Sequence, residues 1–165
     1  MYWQVYLHKT VLSAEFLLAK ILERAREILL SGSKLYVVPS LKILLSQKIT
    51  SDNISQIDFL NSFSKVDDYD VFTCVKIWCD SQDKILSSLS KMMIERKLPK
   101  VKISAQKFSL EEVENCKSVH QKNLGFNNEE MNYFVYQKEM ENNAYDPRKD
   151  EIKILFNDGS LKDIT

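Results

Sequence analysis

Residues 1–30, MYWQVYLHKTVLSAEFLLAKILERAREILL, carry the longest helical pattern in the chain. Apolar side chains recur there at steps of three and four residues, the spacing that places them on one face of an α-helix: Val11, Ala14, Leu18, Ile21, Ala25 and Ile28. Further apolar residues between them widen this face, so we expect much of the helix circumference to be buried. The sequence Ser31-Gly32-Ser33 predicts the end of the helix, because glycine readily adopts the left-handed conformation that follows a last turn.

Shorter helices are predicted to follow as far as residue 98. One covers Leu41 to Gln47, and another lies within residues 49–63. Acidic residues suited to a helix start precede two more, at Asp67-Asp68 and at residues 80–83. Aromatic residues of the helix opened by Asp67-Asp68 are expected in the core: Tyr69, Phe72 and Trp78. Residues 1–98 are therefore predicted to form a helical lobe that ends before Pro99.

The pattern changes after Pro99. Residues 101–105 alternate apolar and polar side chains with period two, which is typical of a strand, and residues 133–138 and 151–156 also favour strands. Between the first two, Ser109 followed by Glu112 is a capping box that predicts a helix ending before Gly125. Residues 99–165 are thus predicted to form a small β-α-β-β lobe. The fold class expected for the whole chain is α+β.

Composition limits the classes of function. The 165 residues are 44% hydrophobic and 28% charged, as in soluble globular proteins. Lys plus Arg and Asp plus Glu number 23 each, so overall charge does not direct the chain to nucleic acid or to an anionic membrane. No apolar run is long enough to span a membrane, and the three cysteines are predicted to be reduced in a cytoplasmic protein.

Recognisable catalytic motifs are missing from the sequence. There is no glycine-rich phosphate loop, no HExxH, no GxSxG and no CxxC pair. The two histidines, His8 and His120, lie far apart in the chain, so one copy is not expected to assemble a multi-histidine metal site. We therefore predict no catalytic and no metal-binding residues within this chain.

One short stretch, Tyr6-Leu7-His8-Lys9-Thr10, resembles the tyrosine-x-histidine-lysine segment of HD-domain phosphohydrolases related to the vertebrate SAM-and-HD-domain dNTP triphosphohydrolase. Later segments are similar to the phosphohydrolase-associated C-terminal region of bacterial members of that family. They are residues 67–70, residues 76–78, residues 142–145 and residues 152–160. The matches follow the family order and span nearly the whole chain.

This resemblance implies that the chain is the C-terminal part of an HD-type (deoxy)nucleoside triphosphate phosphohydrolase. The family's metal-binding HD core precedes this region, so a divalent metal is expected in that upstream core, and the chain alone is expected to be inactive. The implied partners are the upstream HD core, a second copy in a homo-oligomer, and a nucleotide. Aromatic residues at the N-terminus fit either truncation of a longer chain or packing within this one. The alternative is a non-catalytic oligomerisation or regulatory interaction module.

The resemblance also implies roles for three residues. Tyr6 matches a tyrosine that lines the substrate pocket, where a ring packs on the sugar and a hydroxyl donates to phosphate. His8 and Lys9 match positions that contact a regulatory nucleotide between subunits in some relatives. Ordinary structural roles stand beside these: Tyr6 in the core, His8 in an interface, and Lys9 on the solvated surface.

Overall fold

The computed structural model of the protein describes residues 8–47, 50, 56–139 and 153–163. Helices dominate these residues, and two short strands lie near the C-terminal end. The α-helices are α1 (Lys9–Leu30), α2 (Pro39–Ser46), α3 (Ile57–Phe63), α4 (Asp68–Trp78), α5 (Lys84–Ile94) and α6 (Leu110–Leu124). They are followed by a 3-10 helix (Glu130–Tyr133) and by the strands β1 (Lys153–Leu155) and β2 (Leu161–Asp163).

Helix α1 confirms the long helical pattern but begins at Lys9. His8 has an extended backbone, and its Nδ1 accepts a hydrogen bond from the backbone N–H of Thr10 at 3.3 Å, so it caps the helix. The part of the predicted helix before His8 lies outside the described residues. At the other end Gly32 has a φ of 79°, the left-handed conformation expected after the last turn.

The core forms where α1 packs against α2 and α5, and α4 packs against α5. Completely or nearly completely buried side chains from these helices meet there, among them Leu17, Ile21, Val75, Trp78 and Leu86. Burial of each large apolar side chain stabilises the fold by roughly 1.5–3 kcal/mol. Trp78 also donates its indole N–H to the carbonyl of Tyr36 at 2.7 Å, which holds the segment before α2 against α4.

Local sequence signals place three of the helix starts. The side chains of Asp67 and Asp83 accept hydrogen bonds from backbone N–H groups at the starts of α4 and α5. Ser109 and Glu112 form the predicted capping box of α6, with reciprocal backbone contacts of 3.2 and 3.0 Å. Gly125 ends α6 with a φ of 71°. These caps explain why the boundaries could be predicted from single residues.

Two of the predicted strands do not form. Residues 101–105 are irregular, and the segment predicted as a strand at 133–138 begins at the end of the 3-10 helix and continues through a turn. Alternating side chains are not sufficient for a strand, which also needs a hydrogen-bonded neighbour. Instead Met131 and Phe126 are buried in the helical core. The predicted β-α-β-β order is therefore wrong in its first two strands.

The third predicted strand does form in part, because β1 lies within residues 151–156. It pairs antiparallel with β2, with Lys153 opposite Asp163 and Leu155 opposite Leu161. The fold class is thus α+β in a broad sense, with a small two-stranded sheet. The division at residues 98–99 stays a prediction; across it, the Ser13 hydroxyl donates to the Pro99 carbonyl at 2.6 Å.

The expectation that the aromatic residues of α4 are all in the core is wrong for two of three. Trp78 is buried, but Tyr69 is 82% exposed and Phe72 is 42% exposed. Both lie on the side of α4 that α5 and α2 leave uncovered. None of the helices among the described residues combines the length and the apolar character that crossing a membrane requires.

Candidate functional site

The site residues predicted from the resemblance lie at the start of α1. His8 and Lys9 are exposed; the His8 side chain accepts the capping hydrogen bond from Thr10, and the His8 carbonyl accepts from the Leu12 N–H. Tyr6 lies outside the described residues. The structure therefore does not test a role for these three residues in binding nucleotide or substrate.

A network of charged side chains connects α1 to the start of α5. The guanidinium of Arg24 donates two hydrogen bonds to the carboxylate of Asp83, from Nε to Oδ1 at 3.2 Å and from Nη2 to Oδ2 at 2.7 Å. Both side chains are about three-quarters buried. Asp83 also accepts from the backbone N–H of Leu86 at 2.8 Å. One carboxylate thus caps α5 and pairs with α1 in a bidentate geometry.

The network continues to the 3-10 helix. Arg24 Nη1 donates to Glu27 Oε2 at 3.0 Å, and the Tyr133 hydroxyl donates to the same oxygen. The Arg24 guanidinium also lies 5.5 Å from the centroid of the Tyr133 ring. Three segments that are distant in sequence, α1, the start of α5 and the 3-10 helix, therefore meet at one arginine.

Aromatic rings and lysines extend this contact along α1. Lys20 lies over the rings of Tyr133 and Tyr136, with its Nζ at 5.6 and 5.1 Å from the two centroids. Phe16 contacts Tyr136 edge to face, and Lys138 lies over the Phe16 ring. Cation–π contacts of this kind contribute roughly 0.5–1 kcal/mol each when exposed. They explain why residues 133–138 lie along α1 and do not pair as a strand.

Ionisation in the network follows from these contacts. The hydrogen bonds to Asp83 raise the pKa of Arg24, although burial opposes the shift. Burial alone would raise the pKa of Asp83, but the hydrogen bonds from Arg24 and from the Leu86 backbone outweigh it and lower that pKa. Burial, together with the hydrogen bond to Glu27, raises the pKa of Tyr133 to about 12. At neutral pH the network therefore holds a charged arginine, a charged Asp83 and a neutral tyrosine.

The network forms part of the wall of a cavity of about 760 Å³. Carboxylates of Glu27, Asp80 and Asp83 line it beside Arg24 and Lys34. Arg24 already donates three hydrogen bonds to carboxylates, so a phosphate at its guanidinium would meet the negative charge of Asp83 and Glu27. The geometry supports holding the helices together, and we assign no chemical step to it.

Other groups that could support catalysis do not converge in the part of the chain that the structure describes. No three His, Cys, Asp or Glu side chains among those residues lie close enough to hold a metal ion. Burial raises the pKa of the Cys74 and Cys79 thiols, which favours the protonated, weakly nucleophilic form. The Cys74 sulfur accepts a hydrogen bond from the Val38 N–H at 3.4 Å, a structural contact.

Sequence reasoning did not identify the Arg24 network. Asp83 is recognisable as part of a helix start, but its bidentate partner is 59 residues away. No local pattern indicates which of the charged residues on α1 faces it.

Comparison with known proteins gives a relationship for the whole chain. A solved phosphohydrolase from Bacteroides thetaiotaomicron VPI-5482 is 38% identical and superposes with a TM-score of 0.83; the match covers 99% of this chain and 41% of that one. Over 102 residues, 59% of this chain, the sequence is 33% identical to the uncharacterized protein YwfO of Bacillus subtilis (strain 168), of which the match covers 21%. No protein-family model matches.

The chain therefore spans about two fifths of the solved relative and about one fifth of the curated one. Identity and superposition together are high enough to indicate common ancestry and a common fold. The chain is related to a phosphohydrolase and corresponds to part of that protein's length.

Proposed function

We propose that this chain is the C-terminal part of an HD-type (deoxy)nucleoside triphosphate phosphohydrolase, and that the catalytic divalent metal belongs to an HD core upstream of it. The observation that carries the proposal is the similarity to a phosphohydrolase over 99% of this chain and 41% of the relative. The motif resemblance at Tyr6-Leu7-His8-Lys9 supports the finer assignment to HD enzymes and to nucleotides.

The histidine content of the sequence agrees with an external metal core. An HD centre needs several histidines and a histidine directly followed by aspartate. His8 is followed by Lys9 and His120 by Gln121, and the chain has no other histidine. Lowering the pKa of an attacking water and stabilising phosphoryl charge need such a metal centre. The 165 residues are thus proposed to shape or support the reaction centre.

The proposal predicts that the isolated chain does not hydrolyse nucleotides. Purified chain is incubated with a mixture of dNTPs and either Mn²⁺ or Mg²⁺, and release of phosphate and triphosphate is followed. Metal-dependent turnover that copurifies with the chain and persists through a second purification would contradict an external catalytic core.

A chimera tests whether this chain supports the reaction centre of an upstream core, as proposed. The matching segment of the Bacteroides phosphohydrolase is replaced by this chain, and its activity is compared with that of a version that lacks the segment. We expect the chimera to hydrolyse dNTPs and the shortened version to be inactive. A chimera that folds but hydrolyses other phosphate esters and no dNTP would contradict the substrate class.

The same chimera tests the proposed site residues. Tyr6→Phe removes a hydroxyl proposed to donate to phosphate, so KM for the nucleotide is expected to rise. Ser118→Ala is the control, because Ser118 is an exposed residue of α6 whose hydroxyl bonds within its own helix, and its removal should change nothing. Lys9→Gln is expected to reduce activation by added nucleotide, and equal activation of the variant and the parent would exclude Lys9 from a regulatory site.

The alternative function, a non-catalytic oligomerisation or regulatory module, is favoured by one specific observation. Helix α3 and the start of α4 expose large apolar side chains: Ile57 by 75%, Phe63 by 64% and Tyr69 by 82%. Exposed apolar residues concentrated on neighbouring segments are typical of interaction surfaces. On this alternative, a second copy or the upstream core covers them.

Sedimentation of the isolated chain distinguishes the two occupants. If a second copy covers this surface, the chain forms oligomers and Phe63→Ser shifts it to monomers, whereas Phe156→Ser, on a 44% exposed residue near the small sheet, leaves the mass unchanged. A monomer at all concentrations would exclude self-association through α3.

A further inference from the structure

The segment Ser33–Tyr36 separates two cavities of different electrostatic character. It runs between α1 and α2, and its four residues contribute to the walls of both cavities. On one side is the 760 Å³ cavity, which three carboxylates line. On the other side is a cavity of about 490 Å³ that is wide open to solvent, and none of the described residues that line it carries a carboxylate. The segment thus borders an acidic cavity on one side and a cavity lined by lysines on the other, and Lys34 lies in the walls of both.

The smaller cavity gathers groups that donate hydrogen bonds. Lys34 and Lys42 line it, one from the extended segment and one from α2, together with the hydroxyl-bearing residues Ser33, Ser46 and Tyr36. The rest of its lining is aliphatic or glycine. Two ammonium groups and neighbouring hydroxyls favour an anion with several acceptor oxygens, and Lys34, which also lines the acidic cavity, forms no ion pair there with a described carboxylate.

Both lysines are available to a ligand. Lys34 and Lys42 are exposed, and neither forms an ion pair with any carboxylate that the structure describes. Other lysines of the described chain, such as Lys20 and Lys117, are paired with nearby glutamates. An anion entering this cavity therefore need not displace a competing carboxylate from either ammonium group.

The backbone around the cavity is held in place. The carbonyl of Tyr36 accepts from the indole of Trp78, whose side chain is 1% exposed. At the end of α1, the N–H groups of Gly32 and Ser33 donate to the carbonyls of Leu29 and Ile28 at 3.1 and 3.2 Å. These bonds fix the backbone; the end of α1 still presents the negative end of the helix dipole, which the two ammonium groups have to outweigh.

We propose that the cavity lined by Lys34 and Lys42 binds a small molecule through a phosphate or diphosphate group. The two lysines supply the charge, Ser46 supplies a hydroxyl donor, and the half-exposed Tyr36 ring covers the organic part of the ligand. This site is distinct from the start of α1, where the resemblance places nucleotide contacts, so it does not depend on the proposed phosphohydrolase function.

Titration of the full chain with inorganic diphosphate tests the proposal, with amide NMR shifts as the readout. Acetate at the same ionic strength is the comparison probe, because it carries one charge. We expect saturable shifts with diphosphate concentrated at residues 32–36 and 42–46, and none with acetate. Loss of one ammonium group is expected to weaken binding about fivefold, and Lys34→Gln/Lys42→Gln should weaken it by at least an order of magnitude.

The matched control is Lys65→Gln/Lys76→Gln, which removes the same net charge from exposed lysines outside the cavity. It should change the affinity less than twofold. Equal weakening in the two double variants would show a general charge effect and overturn the site. So would shifts located elsewhere, or no saturable binding below about 10 mM. Single variants give the same comparison if the double variant is unstable.

Discussion

Replacement of Asp83 separates the two roles of its carboxylate, which caps α5 and pairs with Arg24. Asp83→Asn keeps a side-chain oxygen that can accept from the Leu86 N–H, but it removes the charge that pairs with Arg24. Asp83→Ala removes both. Each variant therefore reports a different combination of the helix cap and the ion pair, and their difference isolates the cap.

The expected magnitudes follow from burial. Loss of an N-cap side chain costs about 1 kcal/mol. The Arg24 and Asp83 side chains are 25% and 22% exposed, so their pair lies between surface pairs, at about 0–1 kcal/mol, and buried pairs, whose rupture costs about 3–5 kcal/mol. We expect Asp83→Asn to reduce the free energy of unfolding by about 1–2 kcal/mol and Asp83→Ala by about 2–3 kcal/mol.

Urea unfolding followed by tryptophan fluorescence measures these changes. Trp78 is 1% exposed, and a Trp3→Phe background makes it the single reporter. A cycle of Arg24→Met, Asp83→Asn and the double variant isolates the pair, with an expected coupling of about 1 kcal/mol. Glu95→Gln is the control, because Glu95 pairs with Lys97 at the surface and should give no measurable change. A coupling indistinguishable from zero would refute the stabilising role of the network.

Three further predictions concern single groups. The pKa of Asp83 is lowered in the folded protein, so the stabilisation from its charge is present above its ordinary pKa of 3.8 and is lost as the pH falls through the folded pKa. The free energies of unfolding of the wild type and of Asp83→Asn should therefore converge in acid. A difference that stays constant with pH would contradict this prediction. Ser90→Ala removes a completely buried hydroxyl that has no partner among the described residues, so urea unfolding should show a gain of about 1 kcal/mol, and a loss would reveal an undetected hydrogen bond. When tyrosine ionisation is followed by absorbance, one tyrosine should titrate near pH 12, and Tyr133→Phe should remove that step. An unchanged titration curve would mean that Glu27 does not hold Tyr133.

The helix boundaries that a local cap fixes were predictable, because a single residue or a pair within one turn determines them. The capping box at Ser109 and Glu112 and the left-handed Gly125 act within one turn, so their chemistry is the same before and after folding. The start of α1 was predicted too early, because the apolar pattern continues upstream of His8. A histidine cap is uncommon, and the pattern gave no reason to expect one there.

Strands at residues 101–105 and 133–138 could not be judged from their own residues. Alternation predicts a face but does not provide the neighbouring strand that must pair with it. Tyr133 and Tyr136 instead contact cations of α1 that are more than a hundred residues away in the chain. The aromatic side chains that favoured a strand in the sequence therefore pack against the surface of α1.

The candidate functional groups also divide into those that a local motif marks and those that only packing brings together. The resemblance identified Tyr6, His8 and Lys9 from adjacent letters, and their roles stay predictions. The Arg24 network and the cavity lined by Lys34 and Lys42 were not recognised, because their members are separated along the chain and are not marked by a local motif.

Local chemistry alone therefore determined the helical character of the chain, its capping residues, its neutral overall charge and its lack of a histidine followed by aspartate. Tertiary packing decided which apolar residues became the core, why Tyr69 lies in solvent while Trp78 is buried, and which cation faces which carboxylate or ring. The physical reason is the distance along the chain over which each interaction acts. Backbone capping and helical periodicity act over a few residues, whereas burial and ion pairing depend on surfaces that meet only after the helices have packed.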